Sequence, residues 1–211
     1  MALPHIPDYP LPEAGELPAP RGPWQPRSER IALLVHDMQR YFLAAFEPQQ
    51  APLAPALGNL ARLLGHCRAR GIPVFYTAQR GNQERCDRGL QADLWGAGMR
   101  ALPEHEDIVE VLQPQAGDQV LVKHRYSAFQ RSNLETLMRA RGRDQLLVTG
   151  VYAHIGCLAT VAEAFQRDIE AFIAADAVAD FSRADHDAAL HWIARTCGVP
   201  MSTDQLLQAL A

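Results

Sequence analysis

The sequence predicts an α/β protein with three layers, α/β/α, around a mostly parallel central sheet of five or six strands. Short apolar runs alternate with longer segments of helical period, and none of these runs shows the alternation of a half-exposed strand. Such runs are typical of strands that are buried on both faces and joined by helical crossovers. The candidate strands are IALLVH (31–36), IPVFYT (72–77), QVLVK (119–123), QLLVT (145–149) and AFIAA (171–175).

Helices are predicted between these strands. Apolar residues recur at helical spacing from 53 to 67, and Gly71 follows as a left-handed stop. Further helices are predicted at 134–140, 158–167 and 184–196, the last with Ser182 as its N-cap and Asp185 three residues later. Residues 79–118 are interpreted as a long loop or short helix crossing the active-site face, with a helix-like stretch near EDIVEVL.

The length of 211 residues suits one large domain, which we place at 29–211. Residues 1–28 carry eight prolines and are predicted to form an extended arm, because proline fixes the backbone and removes a donor. Composition favours equally an arm that wraps a neighbouring subunit and a flexible tail. Ile6, Tyr9 and Trp24 offer apolar anchors against the body of the protein.

The overall charge argues against a nucleic-acid partner. The net charge is -4 and the pI is about 6.0, whereas nucleic-acid modules concentrate Lys and Arg on one face. If the substrate is a small anion, a few local cations must hold it.

Cysteine usage and the N-terminal sequence predict a cytoplasmic protein without a membrane partner. The four cysteines, Cys67, Cys86, Cys157 and Cys197, form no CxxC or Cys/His cluster, so neither a zinc site nor a disulfide framework is expected. The chain shows no secretory signal pattern and no run of roughly 18 apolar residues.

Polar residues follow the predicted strands where they end. Asp37 follows the first strand, Gln79 lies after the second, Lys123 closes the third, and a glycine-containing turn from Gly150 to Cys157 follows the fourth. Because ligands bind at the carboxyl ends of parallel strands, these groups are expected to converge on one small volume.

Each of these residues also has a purely structural interpretation. Asp37 suits a helix N-cap, and Lys123 suits a solvated strand end. The nearby histidines His36, His124 and His154 are interpreted as hydrogen-bonding residues, and without a carboxylate partner no metal site is predicted for them. The chain has no GxSxG elbow, GxxxxGK[ST] loop or GxGxxG motif, which leaves Cys157 as the one conventional nucleophile near the Asp37 and Lys123 pair.

At these positions the sequence resembles the isochorismatase family. The resemblance lies in LLVHDMQRYF (33–42), FYTAQ (75–79), LVKHRYSAF (121–129), TGVYAHIGC (149–157) and ADAVADFSRADH (175–186), and it covers nearly the whole chain, the proline-rich arm included. It implies the isochorismatase-like fold and a hydrolase that acts on isochorismate.

The reaction implied by the resemblance is hydrolysis of the enol ether that joins pyruvate to a cyclohexadiene ring. The products are 2,3-dihydro-2,3-dihydroxybenzoate and pyruvate. The hard step is protonation of the terminal methylene carbon, for which Asp37 is the expected general acid. Burial would raise the pKa of Asp37 and Lys123 would lower it, and the sequence leaves that balance open. No covalent intermediate, metal or cofactor is implied.

The wider superfamily contains cysteine hydrolases such as nicotinamidases, which use an Asp, Lys and Cys triad. Their cysteine falls at Gly156 of this chain, and one residue at a helix start is about 100° of rotation, so Cys157 is expected to face away from the site. Three alternatives stay open: the same reaction on 2-amino-2-deoxyisochorismate, as in phenazine pathways; amide hydrolysis by Cys157; and a scaffold that has kept the fold without activity.

The resemblance also implies a set of substrate contacts. Lys123, Gln79, Arg88, Tyr126, Tyr152 and the backbone of Gly156 would hold the two carboxylates and the enolpyruvyl oxygen, with Phe42 and Trp95 as apolar walls. A non-proline cis peptide is expected at Val151–Tyr152. His124 stands where the family has Trp, a difference expected to affect substrate choice. A homodimer and a free-standing hydrolase of siderophore or other secondary-metabolite biosynthesis, without an aryl carrier domain, are further expectations.

Overall fold

The computed structural model describes residues 4–211, which fold around a six-stranded sheet whose neighbouring strands are all parallel. The strands are β1 (Ile31–His36), β2 (Val74–Ala78), β3 (Gln119–Val122), β4 (Gln145–Val151), β5 (Glu170–Ala179) and β6 (Gly198–Met201). Their order is β3-β2-β1-β4-β5-β6, so the chain runs outward in opposite directions from β1 and β4. A crevice for ligands is expected at this switch point.

Helices cover both faces of the sheet. They are α1 (Arg40–Leu43), α2 (Leu53–Ala69), α3 (Arg85–Arg88), α4 (Gln91–Trp95), α5 (Pro103–Glu106), α6 (Leu134–Ala140), α7 (Leu158–Gln166), α8 (Arg183–Thr196) and α9 (Thr203–Ala209). Leu33 of β1 packs with Leu60 of α2 in one hydrophobic cluster, whereas the next residue, Leu34, packs with Val161 of α7 and Leu190 of α8 in another. The predicted three-layer architecture is confirmed.

The main crossover helices agree with the sequence patterns that predict them. Gly71, two residues beyond the end of α2, has φ 65°, a conformation that glycine adopts without strain. Ser182 caps α8, and its Oγ accepts a hydrogen bond from the backbone N of Asp185 at 3.0 Å. Within residues 4–211, no helix has the length and apolarity needed to cross a bilayer.

The two edge strands depart from prediction. The expectation that every strand is buried on both faces is wrong for β3, whose edge position leaves Val120 50% and Val122 37% exposed. The other edge strand, β6, is not among the strands that the sequence predicts. Its four residues, Gly198–Met201, include a glycine that weakens the strand pattern and a proline that is confined to edges.

The segment 79–118 crosses the carboxyl ends of the strands as a series of short helical turns, α3 to α5. The stretch predicted near EDIVEVL is helical only as a 3₁₀ turn at Glu110–Leu112. Beside it, Ile108 forms an isolated antiparallel bridge with Gln39, and the backbone N of Val109 donates to the carbonyl of Met38 at 3.1 Å. These contacts fix the segment against the residues that follow β1.

The described part of the proline-rich arm packs on its own chain. Ile6 is 1% exposed, and its backbone N donates to the carbonyl of Ala45 at 2.8 Å. Tyr9 is also buried, and its hydroxyl accepts from the backbone N of Asp180 at 2.7 Å. Ile6 and Tyr9, two of the apolar anchors predicted from the sequence, therefore hold the first described residues of the arm against the domain, and Tyr9 does so at the end of β5.

Candidate active site

The carboxyl ends of five strands place polar and aromatic side chains around one crevice. Asp37 follows β1, Gln79 follows β2, Lys123 follows β3, Tyr152 follows β4, and Phe181 lies two residues beyond β5. Because all five strands are parallel, their last residues meet at the same edge of the sheet.

A cavity opens at this edge, and the empty space at its mouth and within it, open solvent included, is about 570 Å³. Its lining contains all nine residues predicted to form the site: Asp37, Phe42, Gln79, Arg88, Trp95, Lys123, Tyr126, Tyr152 and Gly156. Its other lining residues are His36, Tyr41, Gln91, Gly98, Met99, Val151, Ile155 and Phe181. The lining is largely apolar and aromatic, with an acid and two cations as its charged groups, so it suits a small molecule that carries negative charge.

Asp37 is held from two sides at the base of the cavity. Its backbone has φ 52°, an uncommon conformation for a non-glycine residue that turns the chain sharply after β1. Thr77 Oγ1 accepts from the backbone N of Asp37 at 3.1 Å and donates to Asp37 Oδ1 at 2.6 Å. The second carboxylate oxygen accepts from Lys123 Nζ at 2.7 Å. The Thr77 contact, on β2, was not predicted from the sequence.

Asp37 and Lys123 form a buried ion pair. Their side chains are 6% and 3% exposed, and Lys123 is the only lysine among the 20 Lys and Arg residues of the chain. Burial raises the pKa of Asp37. The Lys123 ammonium and the hydrogen bonds from Lys123 and Thr77 together lower it by more, so the net pKa lies below its ordinary value. The free protein therefore holds Asp37 as a carboxylate at neutral pH.

Arg88 supplies a second cation, which α3 directs into the cavity. The residue is 7% exposed, and its Nε donates to the carbonyl of Gly96 at 2.6 Å. Gly98 lets the guanidinium lie against the backbone, since a Cβ there would stand 2.6 Å from Arg88 Nη1. Burial lowers the pKa of Arg88, but from so high a value that the group stays charged. A charged, buried guanidinium facing a cavity is well suited to a carboxylate.

Tyr126 and Trp95 form a hydrogen-bonded pair on the wall of the cavity. Trp95 Nε1 donates to the Tyr126 hydroxyl oxygen at 2.7 Å. Because the hydroxyl accepts this bond, its own proton stays available to a ligand.

Tyr152 has a different environment. Its hydroxyl donates to the carbonyl of Phe42 at 2.7 Å, and its ring lies 4.5 Å from the ring of Phe181, centroid to centroid. The hydroxyl proton is thus used within the protein, and Tyr152 presents mainly its ring to the cavity. The peptide bond between Val151 and Tyr152 is cis, as expected.

Gly156 and Cys157 lie on a π-helical turn, Ala153–Cys157, between β4 and α7. Gly156 lines the cavity, whereas Cys157 is fully buried and is not a lining residue. Burial raises the pKa of the Cys157 thiol well above its ordinary value, so the reactive thiolate is disfavoured. The rotation argued from helical geometry agrees with this arrangement.

Several residues in or near the lining were missed or interpreted differently. Phe181 was not predicted: the site was expected at the ends of the first four predicted strands, and β5 runs to Ala179, four residues past its predicted end at 175. His36 was interpreted as a hydrogen-bonding residue, and its Nδ1 does lie 2.8 Å from the carbonyl oxygen of Val151. His124, expected to affect substrate choice, is not a lining residue of the cavity.

Comparison with known proteins places the chain among hydrolases of this fold. The family model described as "Isochorismatase domain" matches residues 31–205. The chain is 48% identical over 210 residues to the isochorismatase of Bacillus subtilis, covering 100% of this chain and 67% of that protein. It is 46% identical over 206 residues to the phenazine biosynthesis protein PhzD1 of Pseudomonas aeruginosa, covering 98% of this chain and 99% of that protein.

A solved structure shows the same architecture. The cysteine hydrolase of Pseudomonas syringae superposes with a TM-score of 0.79 at 27% identity, over 91% of this chain and 96% of that one. The match to the family model spans most of the sequence, and the identity to the Bacillus protein extends over the whole length of this chain. This chain belongs to the isochorismatase family.

Proposed function

We propose that this protein hydrolyses isochorismate to 2,3-dihydro-2,3-dihydroxybenzoate and pyruvate. The observation that carries the proposal is the Asp37 and Lys123 pair at the base of a cavity that also holds Arg88 and contains no nucleophilic thiol among its described lining residues. The 48% identity to a protein named isochorismatase supports the same activity.

Asp37 is the group we assign as general acid. In the assigned step, its carboxyl proton goes to the terminal methylene carbon, and the carbon–carbon double bond supplies the electrons of the new C–H bond. The resulting oxocarbenium ion takes up water, which loses a proton to the Asp37 carboxylate. The hemiketal then breaks at its bond to the ring oxygen: the hydroxyl oxygen becomes the ketone oxygen of pyruvate, and its proton passes to the ring oxygen, giving the free ring hydroxyl. No step needs a bond between protein and substrate.

Substrate binding is the event that we propose protonates Asp37. In the free protein the pKa of Asp37 is lowered, mainly because Lys123 outweighs the effect of burial. Isochorismate brings two carboxylates, and negative charge close to Asp37 raises its pKa. A carboxylate of the substrate also competes for Lys123, which weakens the contact that holds Asp37 ionised. The proposal therefore requires uptake of a proton on binding.

Three groups are assigned to the carboxylates and the ether oxygen. Arg88 and Lys123 provide the charge, and Tyr126 provides a hydroxyl proton that its bond from Trp95 leaves free. Gln79 lies next to Asp37, with 3.5 Å between its Nε2 and Asp37 Oδ2, close enough to bind the reacting end of the substrate. We assign Tyr152, Phe42 and Trp95 to the walls and the backbone of Gly156 to the floor.

Release of pyruvate from isochorismate by the purified protein is the direct test, measured through coupling to lactate dehydrogenase. Asp37→Asn is expected to lower kcat by roughly a hundred- to ten-thousandfold, the usual range for loss of a general acid. Asp204→Asn is the matched control, because the Asp204 side chain is 79% exposed and is not part of the cavity lining. A wild-type protein that releases no pyruvate contradicts the proposed function; Asp37→Asn at full rate contradicts the assigned acid.

The 2-amino-2-deoxy analogue is a second candidate substrate. Its support is the similarity to the phenazine biosynthesis protein PhzD1, of which this chain covers 99%. The two substrates differ at one ring substituent, so kcat/KM for both, measured on one preparation, decides between them. A tenfold ratio of the two kcat/KM values corresponds to roughly 1.4 kcal/mol of discrimination in the transition state.

We also propose a cytoplasmic homodimer. Free cysteines at four positions suit a reducing compartment. Leu90, the residue before α4, and Leu94 within α4 are 79% and 60% exposed, which offers apolar surface for a subunit contact. Sedimentation equilibrium measures the oligomeric state directly, and a monomer at all concentrations contradicts this proposal.

A further inference from the structure

Position 156 is a glycine that lines the cavity with Asp37 and Lys123 and has no room for a side chain. A Cβ built on Gly156 would stand 2.8 Å from Nε2 and 3.2 Å from Nδ1 of His36, and closer still to Cε1. The three nearest atoms all belong to this one imidazole. The ring therefore fills the volume into which any side chain at position 156 would project.

His36 is held where it is. It is the last residue of β1, fully buried, and its backbone pairs with Thr77 of β2 on one side and Gly150 of β4 on the other. Its Nδ1 lies 2.8 Å from the carbonyl oxygen of Val151 and its Nε2 lies 3.3 Å from the carbonyl oxygen of Tyr126. Both ring nitrogens thus contact segments that line the cavity, and a rotation of the ring breaks these contacts.

We infer that His36 is a positioning residue: it keeps position 156 free of any side chain, so that the site beside Asp37 and Lys123 admits water and substrate and excludes a protein nucleophile. The inference rests on the proposed function, hydrolysis without a covalent intermediate. His36 then acts by occupying space and by fixing the backbone at Val151 and Tyr126. It is distinct from the acid, which is the next residue in the chain.

A double-mutant cycle tests this inference. The proteins are wild type, His36→Ala, Gly156→Cys and the double variant, each unfolded in urea. In the presence of His36, Gly156→Cys is expected to lower the urea midpoint strongly. In the His36→Ala background, the same change is expected to lower the urea midpoint by less. For residues in direct contact, the coupling should reach about tenfold or more in the unfolding constant.

Thiol alkylation gives a second, independent readout. Iodoacetamide followed by peptide mapping measures the reaction at position 156 separately from that at Cys157. The thiol at 156 is expected to react faster in the double variant than in Gly156→Cys, because removal of the ring opens the space around it. Gly65→Cys is the matched control: its Cβ meets nothing within 4 Å, so its effects on stability and alkylation should not depend on residue 36.

The inference is overturned if Gly156→Cys lowers the urea midpoint equally with and without His36 and the thiol at position 156 is alkylated at the same rate in both proteins. If Gly156→Cys fails to fold and the double variant folds, the inference is supported. If Gly156→Cys fails to fold in combination with His36→Ala and also with His36→Ser, while the single His36 variants fold, the inference is overturned. If no His36 variant folds, Gly156→Ala decides: a lowered urea midpoint supports the inference and an unchanged one overturns it. None of these readouts uses isochorismate, so a protein that releases no pyruvate refutes the proposed function alone.

Discussion

Replacing Lys123 by Met should reverse the way in which protein stability depends on pH. The ammonium lies 2.7 Å from the Asp37 carboxylate, and both side chains are almost fully buried. At an effective dielectric constant of about 20, that separation corresponds to a gross attraction of about 6 kcal/mol, most of which offsets the desolvation of the two ions. Breaking such a pair by removing one partner typically costs about 3–5 kcal/mol, because the other charge stays buried.

The pH dependence follows from the pKa of Asp37. In the wild type this pKa is lowered, so the stability that the pair contributes is present above the unfolded value of 3.8 and is lost only as the pH falls through the folded value. In Lys123→Met, burial acts without the ammonium and raises the pKa of Asp37. A raised pKa contributes stability below the unfolded value and loses it as the pH rises through the folded one. The deficit of the variant should therefore shrink as the pH falls.

Urea unfolding followed by tryptophan fluorescence, at about pH 5, 6, 7 and 8, measures this difference. The deficit relative to wild type should shrink by up to about 1.4 kcal/mol per pH unit, the free energy of one titrating proton. Arg62→Met is the matched control, because it breaks an ion pair of similar length on the surface. Arg62 Nη2 lies 2.6 Å from Asp204 Oδ1, and the two side chains are 51% and 79% exposed. It should cost less than about 1 kcal/mol at every pH. A Lys123→Met deficit that is constant from about pH 5 to 8, or no larger than that of Arg62→Met, refutes the reasoning.

Three further predictions concern the arginine assigned to substrate binding, the buried Cys157 thiol and a second titrating pair. Arg88→Gln should raise KM for isochorismate by roughly ten- to hundredfold, the range for a lost hydrogen bond to a charged group, and an unchanged KM would remove Arg88 from carboxylate binding. Cys157→Ala should leave kcat within about twofold, because the thiol does not line the cavity; loss of turnover would favour the amide-hydrolase interpretation. His154 Nδ1 lies 2.5 Å from the buried Asp180 carboxylate, whose hydrogen bond raises the pKa of His154. The stability that this bond contributes is present below the unfolded value of 6.5 and is lost as the pH rises through the folded value, so the urea midpoints of wild type and His154→Gln should converge as the pH rises above 6.5.

The strand cores and most of the site were predictable from the sequence. β1 was predicted to the residue, because residues 31–35 form an uninterrupted run of five apolar residues that ends at the polar pair His36 and Asp37. The end of each parallel strand then identified Asp37, Gln79 and Lys123, since one topology places all of these ends together. Prediction failed at β6, where a glycine and a proline weaken the pattern, and at β3, where apolar residues remain exposed on an edge strand.

The contacts between side chains were not predictable in the same way. The hydrogen bonds of Thr77 to Asp37 depend on the register between β1 and β2, which no single strand encodes. The packing of His36 against Gly156 joins residues that are far apart in the sequence. The pKa of Asp37 depends on a difference between large opposing effects, whose sign follows from distances rather than from residue types.

The single lysine of this chain has a practical consequence. Among the side chains of this sequence, Lys123 carries the one primary amine that amine-reactive reagents could modify, and it is 3% exposed. A dye or a solid support coupled through amines should therefore react slowly with this side chain and leave the cavity unmodified. Any label that does reach Lys123 reports how often the cavity opens.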